Sequence, residues 1–263
     1  MKGQRVLLAA VILLSSASFT HAQEGELHGV FGISYVSAYL WRGFDMYPGA
    51  HGEGATQSSL DLDLFDTGFG LKIFHSLANT TGHENAEELD ATLFYGSSLF
   101  AGETYATDYK VGWTYYNHPN RPCTEADLQE AFASLSWPEV YLGGIIPSYT
   151  FIYLWASTSN SPVSDATGMA HVFGLSYDLT VVGFTPEIPE QTLHLFTEFW
   201  YNDGMGAVNV DHDWSHVVAG ISTDFDLSYN LCLTPGLYKQ LSWDDSVNPS
   251  NATWVSLSVK YNF

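Results

Sequence analysis

Basic side chains are scarce in this chain: 8 Lys and Arg stand against 29 Asp and Glu, a formal charge of −21 over 263 residues. Such a surface repels a phosphate backbone, so nucleic acid is excluded as a partner. Charge of either sign is sparse, at 14 % of residues, against roughly 25 % in ordinary soluble domains. Long apolar runs are missing too. The best candidate, 140–156, is uncharged but broken by Gly143, Gly144 and Pro147. It sits at the low edge of the ~20 residues that a membrane helix needs. No Gly-x-Ser-x-Gly elbow and no 12-residue calcium loop appears. No catalytic residue, metal site or cofactor is therefore expected.

What is present points to export and to strands. Lys2 and Arg5 precede an apolar stretch at 6–14, and Thr20-His21-Ala22 supplies small residues where a signal peptidase cuts. The expectation is a cleaved signal peptide over 1–22 and a single domain over 23–263. Aromatics reach 15 %. An exported chain that is rich in aromatics, poor in charge and without a membrane helix fits the other structure that lipid permits, a closed barrel.

The period of the apolar residues agrees. Val255, Leu257, Val259, Tyr261 and Phe263 alternate with Trp254, Ser256, Ser258, Lys260 and Asn262. Leu60, Leu62 and Leu64 alternate with Asp61 and Asp63. Period two means one apolar and one polar face. Reading the whole chain this way predicts twelve strands, at 28–44, 57–66, 69–78, 89–99, 104–116, 127–137, 140–155, 169–179, 191–202, 215–225, 227–239 and 252–263. Long polar segments at 45–56, 79–88, 117–126, 156–168, 203–214 and 240–251 alternate with short turns at 67–68, 100–103, 138–139 and Asp226, and with a longer link at 180–190 that holds Pro186 and Pro189. The expected fold is all-β: one transmembrane antiparallel up-and-down barrel with long extracellular loops and short periplasmic turns. Tyr39, Trp41, Trp113, Tyr115, Tyr153, Trp155, Phe199 and Tyr201 are placed at the outer aromatic belt.

The first strand carries a family resemblance. Val36, Ser37, Tyr39, Arg42 and Gly43 match a Val-Ser-x-Tyr-x-x-Arg-Gly element that opens the TorF-type porin family. Tyr47-Pro48-Gly49-Ala50, Gln57, 60–63 and the Thr67-Gly68-Phe69-Gly70 turn resemble that family's first loop, second strand and first turn. The resemblance covers about the first third, is loose afterwards, and departs at Ala38, where Asp is usual. It implies an outer-membrane barrel and a channel, without a substrate.

The alternation turns Arg42, Asp61, Asp63, Lys72, Asp90, Asp108, Lys110, Glu130, Asp178, His194, Glu198 and Asp224 towards the lumen. Arg42 is expected on strand one, in reach of Asp61 and Asp63 on strand two. Carboxylates outnumber cations, so a mild cation preference follows. Small hydrophilic solutes passing a porin are the expected partners, with outer-membrane lipid and lipopolysaccharide outside. A plugged, non-conducting barrel is the alternative. A barrel hydrolase built on Asp61-x-Asp63 and Asp211-His212-Asp213 ranks below both. Cys123 in the third long loop and Cys232 on the eleventh strand can form a disulfide where that loop dips into the pore; two free thiols is the other reading.

Val259, Tyr261 and Phe263 resemble the signal read by the barrel-assembly machinery. Deleting Phe263 is expected to lower the folded fraction, measured as the heat-modifiable band in gel electrophoresis; undiminished folding would remove that signal.

Overall fold

The computed structural model describes residues 25–48, 54–140, 143–185 and 188–263. The signal segment expected over 1–22, Gly49 and Ala50 of the first loop, and Pro186 lie outside the described residues.

Twelve strands form the barrel: β1 (His28–Val36), β2 (Ala55–Asp63), β3 (Phe69–Ala78), β4 (Glu88–Leu99), β5 (Thr107–Asn117), β6 (Leu128–Ser136), β7 (Ile146–Ala156), β8 (Gly168–Thr185), β9 (Ile188–Asp203), β10 (His212–Thr223), β11 (Leu231–Ser242) and β12 (Ala252–Asn262). Each pairs antiparallel with its neighbours in sequence, and β12 closes the ring on β1 through Val30↔Asn262 to Val36↔Ser256. Gly29 and Phe263 exchange both backbone hydrogen bonds at the seam, at 2.9 and 3.0 Å. The expected fold class is the observed one.

Alternation decides what each side chain meets. Val255, Leu257, Val259 and Tyr261 point outward and are 39–49 % exposed. Phe31, Ile33 and Tyr35 on β1 do the same. An apolar outer wall of this kind costs free energy in water and gains it in lipid. The intervening residues line the lumen in continuous rows across the sheet, for example Asp61, Lys72, Thr92, Thr114 and Glu130. Connections at one rim are long and those at the other are mostly short.

Several boundaries differ from the sequence reading. The first strand stops at Val36 rather than 44, and the chain leaves the wall there. The 180–190 link is mostly strand: β8 and β9 run as a long hairpin, and Pro189 falls where their register shifts, so its missing N–H breaks no regular rung. Asp226 is no turn. It lies in a short segment, Phe225–Ser228, that carries the line of β10 onward along β11. The ladder lapses opposite Pro235, which has no N–H to give.

Cys123 and Cys232 are both free, so the disulfide reading is corrected. Cys123 opens a single helical turn, Cys123–Ala126, at the long-loop rim, whereas Cys232 is buried near the opposite end of β11. The third loop is held at the rim by Asp127, fully buried, which accepts from Tyr115 Oη at 2.6 Å, Asn117 Nδ2 at 3.1 Å and the His118 amide at 3.0 Å. Burial of the His118 imidazole itself holds it below the ordinary histidine range, against the opposing pull of the Asp127 carboxylate.

A bulky maleimide is expected to label Cys123 in the folded barrel and to leave Cys232 unmodified until the protein is unfolded. Mass spectrometry without reductant reads the count; a protein that takes up no label after unfolding would restore the disulfide.

Candidate functional site: a hairpin in the barrel lumen

Beyond Val36 the chain turns inward. Leu40–Trp41 and Phe44–Asp45 pair as a small hairpin detached from the wall. Its two-residue turn is Arg42-Gly43, with φ of +51° and +94°. Two successive positive φ values are those of the type I′ turn that suits a tight hairpin. Gly43 adopts that conformation freely, whereas Arg42 does so at a cost of about 1 kcal/mol. Met46 N donates to Tyr39 O at 3.0 Å and Tyr47 N to Asp45 Oδ1 at 3.1 Å, closing the base.

Contacts from several sides seat the tip. The Gly43 carbonyl accepts from Gln240 Nε2 at 2.9 Å and Asn248 Nδ2 at 3.1 Å. A Cβ at Gly43 would stand 2.6 Å from the His216 ring and 2.8 Å from Val247, so glycine is required by space as well as by φ. Phe44 lies against Gly206, where a Cβ would stand 2.5 Å from its ring. Across the lumen Arg42 forms an ion pair with Glu130 and donates to Tyr116 Oη at 3.2 Å, and Tyr116 Oη donates to Glu130 at 2.8 Å. The guanidinium also lies 5.4 Å from the Trp41 ring centroid and 5.6 Å from that of Trp200, which stacks on His216. At the base, Tyr39 Oη donates to Glu88 at 2.8 Å, and Tyr47 Oη lies 3.1 Å from Ser76 Oγ.

This overturns part of the sequence reading. Arg42 is not on the first strand, and its partner is Glu130 on β6, not Asp61 or Asp63. Tyr39 and Trp41 are not in the outer belt, since the hairpin carries them inside; Trp113 and Tyr153 do point outward. The other lumen candidates lie as follows. Asp61 meets Lys72 at 3.4 Å. Lys110 sits 4.5 Å from the Phe94 ring centroid. Asp108 accepts from Ser98. Asp63 lies at the short-turn end of β2. His194 joins Asp178 at 2.8 Å and Asp224 at 3.8 Å, and Glu198 accepts from Trp200 Nε1 at 3.1 Å. Asp90 is buried on the lumen face of β4.

Sequence reasoning missed Glu88, Tyr116, His216, Gln240 and Asn248 as partners of the hairpin. The signal available for the hairpin itself was the Arg-Gly dipeptide, since glycine there marks a turn; nothing local marks its distant partners. Between the hairpin and the wall of β2–β7 lies a cavity of about 410 Å³, lined by charged, hydroxyl and aromatic side chains. The hairpin thus narrows the lumen from one side and leaves a slot on the other.

No protein-family model matches the chain, and no curated protein matches it in sequence. Solved structures match the fold. The NanC porin is 10 % identical with a TM-score of 0.52, and the match covers 89 % of this chain and 98 % of that one. By fold, the chain is a closed twelve-stranded antiparallel barrel like that of the NanC porin. Also found are an outer-membrane channel from Pseudomonas putida F1 (10 % identity, TM-score 0.49, covering 94 % and 98 %) and outer-membrane phospholipase A from Escherichia coli (14 %, 0.46, covering 94 % and 93 %).

Arg42→Met leaves Glu130 charged and unpaired in a buried place, which costs about 3–5 kcal/mol. The double variant Arg42→Met with Glu130→Leu should recover most of that loss. The urea midpoint of the folded band measures both. Equal destabilisation by the single and double variants would show that the pair does not hold the hairpin.

Proposed function

We infer that the chain is a passive outer-membrane channel for small hydrophilic solutes, of the TorF-type porin group, with the inserted hairpin setting the width of the passage. One observation carries this reading: the slot of about 410 Å³ beside the hairpin, with polar and charged side chains facing it. Ordinary cores do not line their voids with carboxylates, lysines and hydroxyls, because an unpaired buried charge is expensive. Water and small solutes are the natural occupants.

A mild cation preference fits the wall. Asp63, Asp108, Asp178, Glu198 and Asp224 have no Lys or Arg ion-pair partner among the described residues, and only His194 bridges two of them. The resulting negative potential concentrates cations, and salt screens it beyond about 8 Å at physiological strength. The long-loop rim then faces the medium, the apolar outer wall meets lipid and lipopolysaccharide, and the last strand is the one read by the assembly machinery.

A hydrolase reading finds less support. Asp61 leans on Lys72, while Asp211, His212 and Asp213 lie at the rim, so the two groups do not converge. A plugged barrel is the second reading, favoured by the many contacts that seat Gly43.

Planar-bilayer recording separates the two. Discrete conductance steps are expected, with a reversal potential across a salt gradient of the cation-selective sign. Glu198→Gln together with Asp178→Asn should move that potential towards zero. A silent barrel that becomes conducting on Gly43→Val would favour the plug, and an anion-selective potential would overturn the preference.

A further inference from the structure

Resting on the reading that the long-loop rim faces the medium, we propose that Lys239 and Thr253, side by side on the outer wall, hold a phosphate monoester of an outer-leaflet lipid, the lipid part of lipopolysaccharide.

The outer wall is apolar almost throughout. Away from the strand ends, Lys239 is the one Lys, Arg, Asp or Glu on its outward rows among the described residues. It stands on β11 between Leu237 and Leu241, which point outward and are 49 and 39 % exposed, whereas its neighbour Gln240 faces the lumen and is buried. Lys239 itself is exposed and makes no ion pair among the described residues. A lone ammonium on a lipid-facing wall costs free energy unless its stem carries it to the headgroup level. Lys239 lies three residues short of Ser242, the last residue of β11, roughly 10 Å along a strand. At this rim Trp243 meets Phe199 at 6.4 Å between ring centroids, an aromatic pair of the kind that marks the membrane interface. The ammonium therefore stands where lipid headgroups begin.

The neighbours leave room for one. Lys239 is opposite Ala219 on β10 and Thr253 on β12, and Ala219 is opposite Thr197 on β9. Larger side chains flank this row: Phe199, Val217 and Leu241 on the rim side, Leu195, Ile221, Leu237 and Val255 on the other. The short side chains thus form a shallow trough with the lysine in it. Directly opposed residues have Cβ atoms about 5 Å apart, so the Lys239 ammonium and the Thr253 hydroxyl reach a common anion. Thr253 is exposed, and its hydroxyl has no hydrogen-bond partner among the described residues.

Charge selects the occupant. The chain carries −21, and that field drives a free anion away. An anion stays here when acyl chains anchor it, and the apolar rows beside the trough give such chains a surface. A diester headgroup carries a single negative charge, which an amine on the same headgroup often balances. A monoester carries about −1.5 to −2 near neutral pH, and lysine binds phosphate as a point charge, so the monoester is favoured.

The test uses the refolded full chain in detergent micelles with a chelator present, so that no divalent cation ties lipid to the acidic rim. Native mass spectrometry reads the binding of diphosphoryl lipid A, of the same lipid with both phosphates removed, and of phosphatidylglycerol. The first should bind about tenfold more tightly than the other two, the scale of one charge-assisted contact. Lys239→Met should abolish that difference and Lys239→Arg keep it, while Thr253→Val should weaken it. Lys239→Met should still bind the dephosphorylated lipid as the wild type does, which a damaged fold would not. Lys260→Met, on the lumen face of β12, should behave as the wild type. Equal binding of the three lipids, an undiminished preference in Lys239→Met, or displacement by millimolar inorganic phosphate would each overturn the site. A protease site placed in 203–214 reports the orientation, and no cleavage in intact cells would remove the outer leaflet and the proposal with it. A barrel that binds lipid A in this way yet stays silent in bilayers sinks the channel reading alone. A conducting barrel whose lipid preference ignores Lys239 sinks the site alone.

Discussion

Backbone hydrogen bonding is the constraint on which everything else here depends. A strand in hydrocarbon has no water to satisfy its N–H and C=O groups, so every edge must find another strand. The chain meets this by bringing β12 back to β1 and tying Gly29 to Phe263. Once the ring closes, the two faces of every strand part company. One must suit lipid and carries the leucines, valines and aromatics; the other is free to be polar. The lumen chemistry is therefore a consequence of closure, because a closed sheet has an inside that needs no apolar cover.

That inside is then partly filled. The hairpin brings a guanidinium to meet Glu130 across the lumen, and around this pair gathers a buried cluster that includes Tyr116, Leu128, Ile152, Leu154, Trp200 and Met205, with Trp41 against it. An ion pair of this sort adds little net stability over an apolar substitute, but it fixes geometry, since each partner is costly to leave alone. The pair thus acts on position more than on strength: it determines how far the hairpin reaches, and so how wide the remaining slot is.

The strands were legible because period two survives in every one of them; Ser256, Ser258 and Lys260 sort inward and Leu257 and Val259 outward on sequence grounds alone. Wall positions such as Asp61, Lys72 and Glu130 follow the same alternation, whereas Arg42 does not lie on the wall. The hairpin was not, because Tyr39, Leu40 and Trp41 continue the character of the wall past the point where the chain leaves it. A two-stranded piece buried in the lumen alternates like a strand in the sheet. The link at 180–190 was misread for the opposite reason: its prolines look like breakers, yet Pro189 falls where the register of β8 and β9 shifts and interrupts no regular rung. The pairing of Arg42 with Glu130 joins residues 88 positions apart and leaves no local trace.

The seat of Gly43 has a consequence for the order of events during assembly. Its carbonyl is held by Gln240 on β11 and by Asn248 in the loop before β12, and its α-carbon is hemmed in by His216 on β10 and by Val247. All four belong to the last fifth of the chain, while the hairpin belongs to the first. During synthesis and insertion the early segment has nowhere to dock until the final strands arrive. A half-built barrel is accordingly a wider, wetter object than the finished one, and narrowing is among the last things to happen to it.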